Sequence, residues 1–435
     1  MIMAGWGALA IWVLLLATGF WTTRERDDAA SFAAPATWPD VVAVVPARDE
    51  ADVIARSLGS LIAQDYPGSF RIVLVDDNST DGTAMIARAL RARFDPPPLG
   101  EVAARRADGG GGLRNAHLPA NVSLDTPSVS LREPPPPGGE DLGAELRHDV
   151  LGPARVTVIG GAPLPVGWTG KLWALHQGID AAGAPTWLWL TDADIEHAPD
   201  TLRQLVGIAY GAHTHGKQRK LVSFMALLHC RTWPERMLVP AFIYFFKLVY
   251  PFGWINRPGP FAGAAGGCVL VERGALAAAG GVGAMRGALI DDCTLGRLIK
   301  RQGPIWLGLT RRSRSIRPYV NTGEIGAMIA RSAYAQLRYS PVLLVGTVAG
   351  LALVFGLPVA LVLTAQGLAW RLGALATVLM VLSWQPVLAW YRRSPLWGLV
   401  LPLVAAFYAG CTLASALAWY RGRGGMWKGR AQAVG

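Results

Sequence analysis

Long apolar runs without charge stand near both ends of the chain and enclose a middle section of mixed polarity. Each run is close to the roughly 20 residues that a membrane-spanning helix requires. Runs of this length are rare in soluble cores, so we expect an N-terminal membrane anchor at residues 1–23 and about three transmembrane helices within residues 341–420. The apolar runs cover residues 2–21, 341–370, 372–391 and 396–420.

The first apolar run could be a cleavable signal peptide or a membrane anchor. No positive charge precedes it, Arg24 and Arg26 follow it, and no small-residue cleavage site ends it. These features favour an anchor with its N-terminus outside and the following domain in the cytoplasm. Three further spans would place the C-terminus outside, whereas the basic tail at residues 421–435 favours the inside. We therefore expect one C-terminal segment to be re-entrant or interfacial.

Between the membrane segments, residues 40–320 alternate short β-branched runs with segments of helical spacing. This alternation predicts an α/β fold with a largely parallel sheet. Residues 95–153 interrupt it with Pro- and Gly-rich sequence, which predicts a disordered insertion. Predicted strands lie at 41–45, 71–75, 155–159, 186–190, 220–229 and within 263–272, and predicted helices at 49–64, 83–93, 171–182, 200–212 and 290–301.

Two segments are predicted to lie at the membrane surface. Residues 234–255 are aromatic and apolar around one central Lys247, which fits either a membrane span or a helix in the interface, and we favour the interface. Residues 321–340 join the α/β region to the C-terminal apolar runs and are expected to be interfacial as well.

Pairs of acidic residues occur at three points, and each of the first two pairs follows an apolar, strand-like run. The carboxyl ends of the strands in an open α/β sheet form the rim at which such folds bind ligands. Carboxylates there can bind Mg²⁺ or Mn²⁺ together with substrate phosphates, and one can act as a general base. Such a rim would suit sugar transfer from a nucleotide donor, although each pair could instead cap a helix. The pairs are Asp76 with Asp77, Asp192 with Asp194, and Asp291 with Asp292.

The composition is apolar and basic, with 52% hydrophobic residues and a formal net charge of +11. Nucleic-acid binding is one meaning of such charge, but contact with anionic lipid headgroups is the simpler interpretation, and we expect no nucleic-acid partner. The four cysteines lack metal-ligand spacing and are expected to be reduced packing residues. Basic residues beside the apolar runs or in the tail are Arg311, Arg312, Arg314, Arg317, Arg392, Arg393, Arg421, Arg423, Lys428 and Arg430.

An ordered set of motifs resembles that of processive and lipid-directed family 2 glycosyltransferases. The motifs are residues 44–50 (VVPARDE), 75–83 (VDDNSTDGT), 170–175 (GKLWAL), 192–194 (DAD) and 291–292 (DD), and the likeness covers residues 40–340 without the insertion. Residues 336–339 (QLRY) resemble the QxxRW element, with one spacer fewer and Tyr for Trp, and residues 427–430 (WKGR) resemble a tail or gating motif of related membrane enzymes. Residues 170–174, 193–195, 292–295 and 336–340 make the chain most similar to the hopene-associated glycosyltransferase subgroup.

This resemblance implies a GT-A, Rossmann-like nucleotide-diphospho-sugar transferase domain, a nucleotide-sugar donor, a divalent metal and inversion at the anomeric carbon. It implies that Asp292 is the catalytic base with Asp291 beside it, and that Asp194, with Asp192, holds the metal on the diphosphate. The nucleotide and donor site would comprise Pro46, Ala47, Arg48, Glu50, Asp76, Asp77, Lys171, Asp192 and Arg338, and the acceptor side Gly266 and Gly267.

We therefore predict a multi-pass enzyme of the bacterial inner membrane with a cytoplasmic catalytic domain. It would transfer a sugar from a nucleotide-sugar donor to a lipid acceptor, and we expect that acceptor to be hopanoid-related. One alternative is a polysaccharide synthase of the same fold, although four spans hardly supply a translocation path. The other is a non-catalytic membrane scaffold, which the presence of Asp194 and Asp292 disfavours.

Overall fold

The computed structural model describes residues 1–94, 155–211, 218–424, 426–427 and 430–431, so the predicted insertion at 95–153 and part of the tail lie outside the described residues. An eight-stranded mixed sheet forms the centre of the described chain. Its strands are β1 (Val41–Ala47), β2 (Phe70–Asp76), β3 (Val156–Gly160), β4 (Trp187–Thr191), β5 (Ile195–His197), β6 (Leu221–Leu227), β7 (Cys268–Glu272) and β8 (Ile305–Ser315).

The strand order is β3-β2-β1-β4-β7-β6-β8-β5. The first four of these run parallel, β7 runs antiparallel to β4 and β6, β8 is parallel to β6, and β5 is antiparallel to β8. The register places Ala47 beside Asp76, and Asp76 beside Gly160. The carboxyl ends of β1, β2 and β3 therefore meet at one edge of the sheet, as the sequence predicts.

Helices cover both faces of the sheet and continue into an apolar bundle. The helices are α1 (Ile2–Ala17), α2 (Ile54–Ile62), α3 (Thr83–Phe94), α4 (Gly170–Ala181), α5 (Thr201–Tyr210), α6 (Trp233–Val249), α7 (Phe252–Ile255), α8 (Arg273–Ala278), α9 (Asp291–Lys300), α10 (Thr322–Gln336), α11 (Pro341–Leu351), α12 (Leu357–Thr364), α13 (Gly367–Trp390) and α14 (Leu401–Tyr420). A π-helical turn at Ala352–Gly356 joins α11 to α12, and a 3-10 turn at Pro395–Val400 precedes α14.

Two hydrophobic cores lie on opposite faces of the sheet. Alternate residues of β1 divide between them, because successive side chains of a strand point to opposite faces. Val41, Ala43 and Val45 pack with α2 and α5. Val42 and Val44 pack with α4 in a core that continues through α6 into the C-terminal helices. The sheet and the apolar bundle therefore share one continuous interior.

The predicted helix at 49–64 is shorter in the structure, where α2 covers only Ile54–Ile62. Asp49 has a left-handed backbone with φ of 50°. The backbone N–H groups of Asp49, Glu50 and Ala51 donate to side chains of the segment after β2 instead of starting a helix. Strands β5 and β8 were not predicted, because β5 has three residues and the second half of β8 carries arginines that break the apolar pattern.

Within the described part of the chain, three helical segments are long and apolar enough to cross a membrane, namely Pro341–Thr364, Gly367–Trp390 and Pro395–Tyr420. The N-terminal helix α1 has 16 residues, which corresponds to about 24 Å and is shorter than the usual hydrocarbon thickness. It packs along α13, where a Cβ added at Gly5 would lie 2.9 Å from the Leu372 Cβ. The Trp12 indole N–H also donates to the Val354 carbonyl at 2.9 Å.

Helix α14 lies alongside α6 and α10. The Tyr408 hydroxyl donates to the Leu238 carbonyl of α6 at 3.0 Å. The Tyr334 backbone N–H of α10 donates to the Ser415 hydroxyl at 3.1 Å. At the end of α14 the Tyr420 hydroxyl lies 3.0 Å from the Tyr334 hydroxyl. These contacts run along the length of α14.

Close packing of α4 on the sheet gives a first test of the fold. A Cβ added at Gly178 would lie 2.4 Å from Val44 Cγ1 and 2.9 Å from Val75 Cγ2. We expect Gly178→Ala to lower the free energy of unfolding by about 1–3 kcal/mol through overpacking, measured by thermal or denaturant unfolding. The matched control is Gly59→Ala in α2, where nothing lies within 4 Å of the added Cβ. Equal stability of the two variants would contradict this packing.

Candidate active site

The segments after β1 and β2 are tied together at the carboxyl edge of the sheet. The Arg48 guanidinium donates to the Asp77 carbonyl at 2.7 Å and lies 3.4 Å from the Asp77 carboxylate. The Asp49 carboxylate accepts from the Thr80 backbone N–H at 2.9 Å. Pro46 and Ala47, the last residues of β1, are buried beside them. Five sequence-predicted donor residues, Pro46, Ala47, Arg48, Asp76 and Asp77, are therefore neighbours.

Asp76, the last residue of β2, has one buried carboxylate oxygen without a hydrogen-bond partner among the described residues. Its side chain is 8% exposed, and the oxygen in question is Oδ1. Its carbonyl oxygen accepts from the Gly161 N–H at 2.8 Å, and a Cβ on Gly161 would approach the Asp76 backbone to 3.1 Å. A buried carboxylate oxygen costs free energy unless a donor reaches it. The N–H group of a base or the hydroxyl of a ribose could supply that donor.

A second cluster lies near the carboxyl end of β4, the strand beside β1, and is centred on Lys171 in the first turn of α4. Its ammonium lies 2.8 Å from Asp192 Oδ1 and 3.2 Å from Asp291 Oδ2. Burial alone would lower the pKa of Lys171, but the charges of Asp192 and Asp291 raise it above its ordinary value. Lys171 therefore stays protonated and brings two acidic motifs together that are far apart in the sequence.

Asp292 opens α9 directly beside this lysine. Its Oδ2 accepts from the Gly266 N–H at 3.0 Å, and its Oδ1 accepts from the Cys293 N–H at 2.7 Å. A Cβ on Gly266 would lie 3.3 Å from Asp292 Cβ and 3.4 Å from Lys171 Nζ. Glycine at this position lets the backbone approach the carboxylate closely. A cavity of about 20 Å³ borders Asp192, Asp291, Asp292 and Lys171.

The environment of Asp292 suits a proton acceptor that works near neutral pH. Burial, followed by the neighbouring Asp291 charge, raises the pKa of Asp292 to about 6, while Lys171 acts in the opposite direction. A carboxylate with this pKa is mostly ionised at pH 7 and is more basic than an exposed aspartate. The group can therefore accept a proton from a hydroxyl held against it.

This arrangement predicts a pH effect of replacing Asp291. Removing the negative charge of Asp291 lowers the pKa of Asp292. It also leaves the positive charge of Lys171 less neutralised, and this charge lowers the pKa of Asp292 further. A general base acts when it is deprotonated. If Asp292 has that role, we expect Asp291→Asn to move the acid limb of the pH–kcat profile to lower pH by about one unit. The control is Asp180→Asn, a side chain 68% exposed on the outer face of α4. An acid limb that stays at the same pH or moves to higher pH would contradict the effect of the Asp291 charge on the pKa of Asp292.

Asp194 has a different cationic partner from Asp192. Its Oδ2 lies 3.7 Å from Arg317 Nε, and the same guanidinium also pairs with Glu50 and lies 3.9 Å from Asp52. Arg317 follows β8 and connects the segment after β1 to the turn after β4. Sequence reasoning grouped Arg317 with the basic residues beside the apolar runs, because nothing in its local pattern shows which acidic residues its side chain contacts.

His197 is a second residue that sequence reasoning missed. It is 4% exposed, and burial lowers its pKa to about 3, so the ring is neutral. The Thr191 hydroxyl donates to the Gly267 carbonyl at 2.9 Å, which leaves it to accept from His197 Nε2, also at 2.9 Å. His197 Nδ1 then accepts from the Ser313 hydroxyl at 2.9 Å. This network fixes the residue before Asp192, and Gly267 takes part through its carbonyl.

Arg338 is the remaining residue that the sequence predicts for the donor site. It follows α10 with φ of 53°, its side chain is exposed, and no hydrogen bond or ion pair joins that side chain to an acidic residue in the described part of the chain. Gln336, two residues earlier, accepts from the Tyr250 hydroxyl at 2.8 Å. The Cys293 thiol, next to Asp292, donates to the Ala264 carbonyl at 3.6 Å.

The carboxylates of Asp192 and Asp194 supply the oxygen ligands that a divalent cation such as Mg²⁺ or Mn²⁺ prefers. They are 33% and 25% exposed at the turn between β4 and β5. The described residues contain no group of three His, Cys, Asp or Glu side chains suited to a metal. Mg²⁺ and Mn²⁺ commonly take one or two carboxylates and complete their shell with water and substrate phosphates. Two oxygen donors at this rim are therefore compatible with a metal that binds together with a nucleotide diphosphate.

The fold and the sequence motifs define a GT-A glycosyltransferase of the family 2 type. The chain belongs to glycosyl transferase family 21, whose family model matches residues 153–430, and the model of glycosyl transferase family 2 matches residues 42–118. The family 2 match ends within the predicted insertion and the family 21 match begins at its last residue. Together they include every acidic motif described above.

Two curated relatives match shorter segments. Beta-monoglucosyldiacylglycerol synthase of Synechocystis is 32% identical over 120 residues, which are 26% of this chain and 24% of that protein. Succinoglycan biosynthesis protein ExoO of Rhizobium meliloti is 40% identical over 82 residues, which are 19% of this chain and 22% of that protein. The chain thus matches about a quarter of the length of each of these relatives.

Solved structures with a similar arrangement share little sequence with the chain. A mannosyltransferase from Pyrobaculum calidifontis, in complex with GDP-Man and Mn²⁺, has 16% identity and a TM-score of 0.47, covering 96% of this chain and 98% of that one. Glucosyl-3-phosphoglycerate synthase from Mycobacterium tuberculosis has 16% identity and a TM-score of 0.36, covering 69% of this chain and 79% of that one.

Proposed function

We propose that this glycosyltransferase transfers a sugar from a nucleotide-sugar donor to the hydroxyl group of a membrane lipid, with inversion at the anomeric carbon. The observation that carries the lipid acceptor is the connection from the base to the membrane helices. Asp292 lies in α9, and Gly296 of that helix packs against Gly263. The Tyr250 ring packs against Gly263 as well, and its hydroxyl donates to Gln336, five residues before α11 begins at Pro341. A hydroxyl that projects from the membrane surface beside α10 would need to travel only a short way to reach Asp292.

The exposed surface of the apolar helices supports a membrane location. Val342 is 79% exposed, Leu363 77% and Leu403 71%. Soluble monomers rarely expose apolar surface on this scale. We place the protein in the bacterial inner membrane with its catalytic domain in the cytoplasm, where nucleotide sugars are made. The name of the Synechocystis relative, a synthase of a glucosyldiacylglycerol, agrees with a lipid acceptor.

The donor would lie between the two clusters at the edge of the sheet. The base and ribose would occupy the side of Arg48 and Asp77, where the open Oδ1 of Asp76 can accept a hydrogen bond. The diphosphate would point toward Lys171, whose retained charge attracts it. Asp194, with Asp192, would hold a divalent cation there, and that cation would offset the charge of the leaving diphosphate.

Asp292 would remove the proton of the acceptor hydroxyl as its oxygen attacks the anomeric carbon. The N–H groups of Gly266 and Cys293 orient the carboxylate, so that one face of it can point to the acceptor. The bond to the diphosphate breaks on the opposite face of the sugar, which gives inversion. Asp291 and Lys171 keep the pKa of Asp292 in the range that a general base requires.

Helix α14 is the C-terminal segment that we assign to the membrane interface. The Trp397 ring just before it contacts the Trp233 ring at 5.8 Å, and Trp419 at its end stacks on Tyr339 at 5.2 Å. A helix of 20 residues is about 30 Å long, so a membrane-crossing α14 would carry one end far from the catalytic domain. Both of its ends instead lie against α6 and α10, the two helices whose segments are predicted to lie at the membrane surface.

This assignment predicts that the C-terminus lies on the same side of the membrane as the catalytic domain. Fluorescent-protein and alkaline-phosphatase fusions to the C-terminus of the full chain should report the cytoplasm. Matched insertions at Gln366, between α12 and α13, should report the opposite side. A C-terminal fusion that reports the periplasm would show that α14 crosses the membrane.

We propose a hopanoid-related lipid as the acceptor, on the strength of the sequence motifs. The test supplies purified full-length protein with a panel of radiolabelled nucleotide sugars and Mg²⁺ or Mn²⁺, and with lipid extracts that contain or lack hopanoids. Label in a lipid formed only with the hopanoid extract would support the acceptor. Label in another lipid would correct the acceptor alone, and label in a polymer would favour the polysaccharide synthase to which the Rhizobium relative's name points.

A further inference from the structure

We propose that Arg26, Arg311, Arg314 and Arg392 form a binding site for the phosphate-bearing headgroup of an anionic membrane lipid, outside the catalytic site. The cluster is anchored on Trp390, the last residue of α13. The Arg311 Nη2 donates to the Trp390 carbonyl at 2.5 Å, and its guanidinium carbon lies 4.5 Å from the centroid of the Trp390 ring. The cation–π contact fixes this arginine at the end of a membrane helix.

Three further arginines converge on Arg311 from separate parts of the chain. Arg314 Nε donates to the Arg311 carbonyl at 3.2 Å. Arg26 pairs with Leu309 in a short parallel bridge to β8. Arg392 stands two residues after Trp390 in a left-handed conformation with φ of 54°. The N-terminal linker, β8 and the loop between α13 and α14 thus contribute to one surface.

Positive charge in this cluster exceeds the negative charge that faces it. Asp28 pairs with Arg26 at 3.1 Å and is itself exposed. Glu196 stands opposite Arg314 in the β5–β8 register but pairs with Arg56 at 2.9 Å. Burial and then Arg392, Arg314 and Arg26 lower the pKa of Arg311. Mutual repulsion of this kind is relieved when an anion binds among the guanidinium groups.

The position of the cluster favours a lipid over a free anion. Tryptophan rings at helix ends sit at the level of the headgroups in a bilayer, and Trp390 ends a helix long enough to cross one. A phosphate at this level would belong to a lipid whose acyl chains run beside α13, where Leu375, Val378 and Leu382 are each about half exposed. Bound there, the lipid would hold β8, and with it the active-site edge of the sheet, in a fixed orientation to the membrane.

The experiment measures lipid binding to the purified full chain by native mass spectrometry in a neutral detergent. The probes are dioleoylphosphatidylglycerol, dioleoylphosphatidylcholine and inorganic phosphate. We expect the phosphatidylglycerol to bind in preference to the phosphatidylcholine. The variant Arg314→Gln with Arg392→Gln, two exposed side chains, should bind it about 30-fold more weakly, as expected for two basic groups at a membrane surface. The control, Arg88→Gln with Arg91→Gln on α3, should bind as the wild type does.

Three outcomes would overturn the proposal. They are equal binding of the two phospholipids, equal loss in both double variants, and displacement of the lipid by an equal concentration of inorganic phosphate. The last outcome would mean a site for free phosphate. If the double variant has a lowered melting temperature, Arg392→Gln alone decides the question, with an expected loss of about fivefold. High salt should remove the difference between wild type and variant, because the contact is electrostatic.

Discussion

Asp292→Asn is expected to abolish sugar transfer while leaving donor binding nearly intact. The amide has the shape of the carboxylate but cannot take the acceptor proton, and general bases contribute about 10²- to 10⁴-fold to rate. Asp292 contacts Gly266 and Cys293 rather than the nucleotide side of the site. We therefore expect kcat to fall by about 10³-fold, with the Kd of the nucleotide sugar changed less than threefold. Calorimetry for donor binding and a radiolabel assay for transfer measure the two quantities separately.

Two variants serve as controls for that result. Asp180→Asn removes an exposed carboxylate from α4 and should leave both quantities unchanged. Asp291→Asn should keep measurable transfer, since we assign to Asp291 a role in setting the pKa of Asp292. Near-wild-type turnover in Asp292→Asn would show that the base is another group. Parallel loss of donor binding would show a structural role instead.

Asp194→Ala is expected to weaken donor binding only when a divalent cation is present. If Asp194 ligates the cation on the diphosphate, its loss should raise the donor Kd with Mn²⁺ or Mg²⁺ at least about tenfold. In the presence of a chelator, the variant and the wild type should bind the donor alike. Titrations with and without metal measure this difference directly.

The control for Asp194→Ala must separate loss of the proposed metal ligand from loss of the contact with Arg317. Asp194 pairs with Arg317, and so does Asp52, whose side chain is 63% exposed and lies 3.9 Å from the same guanidinium. Asp52→Ala tests the loss of an Arg317 contact without loss of the proposed ligand, and it should bind the donor as the wild type does. Unchanged metal-dependent binding in Asp194→Ala would contradict the metal assignment.

The buried strands β1, β2 and β4 could be predicted from the sequence. Their interiors are buried on both faces, so β1, β2 and β4 contain the uninterrupted apolar runs VVAVV, IVLV and WLWL. The first two acidic motifs stand at the carboxyl ends of β2 and β4, and their placement at one edge follows from parallel pairing. Sequence reasoning was therefore sufficient to predict which acidic residues lie at the carboxyl edge of the parallel strands.

The partners of the acidic residues could not be predicted, because they depend on tertiary packing. Nothing near Arg317 in the sequence indicates that its side chain reaches Glu50 and Asp194. Likewise, the neutral state of His197 follows from its burial between Thr191 and Ser313. Local pattern also missed the left-handed Asp49, whose conformation is set by hydrogen bonds to the segment after β2. Each of these features joins elements that are distant along the chain.

Lipid profiling of the native host tests the central claim most directly. Strains that carry the wild-type chain or Asp292→Asn at the native locus are compared by mass spectrometry of their total lipids, with equal protein levels checked by immunoblot. We predict the loss of one glycosylated lipid from the variant strain and accumulation of its unglycosylated precursor, whose masses identify the sugar and the acceptor. An unchanged lipid profile in the Asp292→Asn strain would contradict the proposal that this protein glycosylates a membrane lipid.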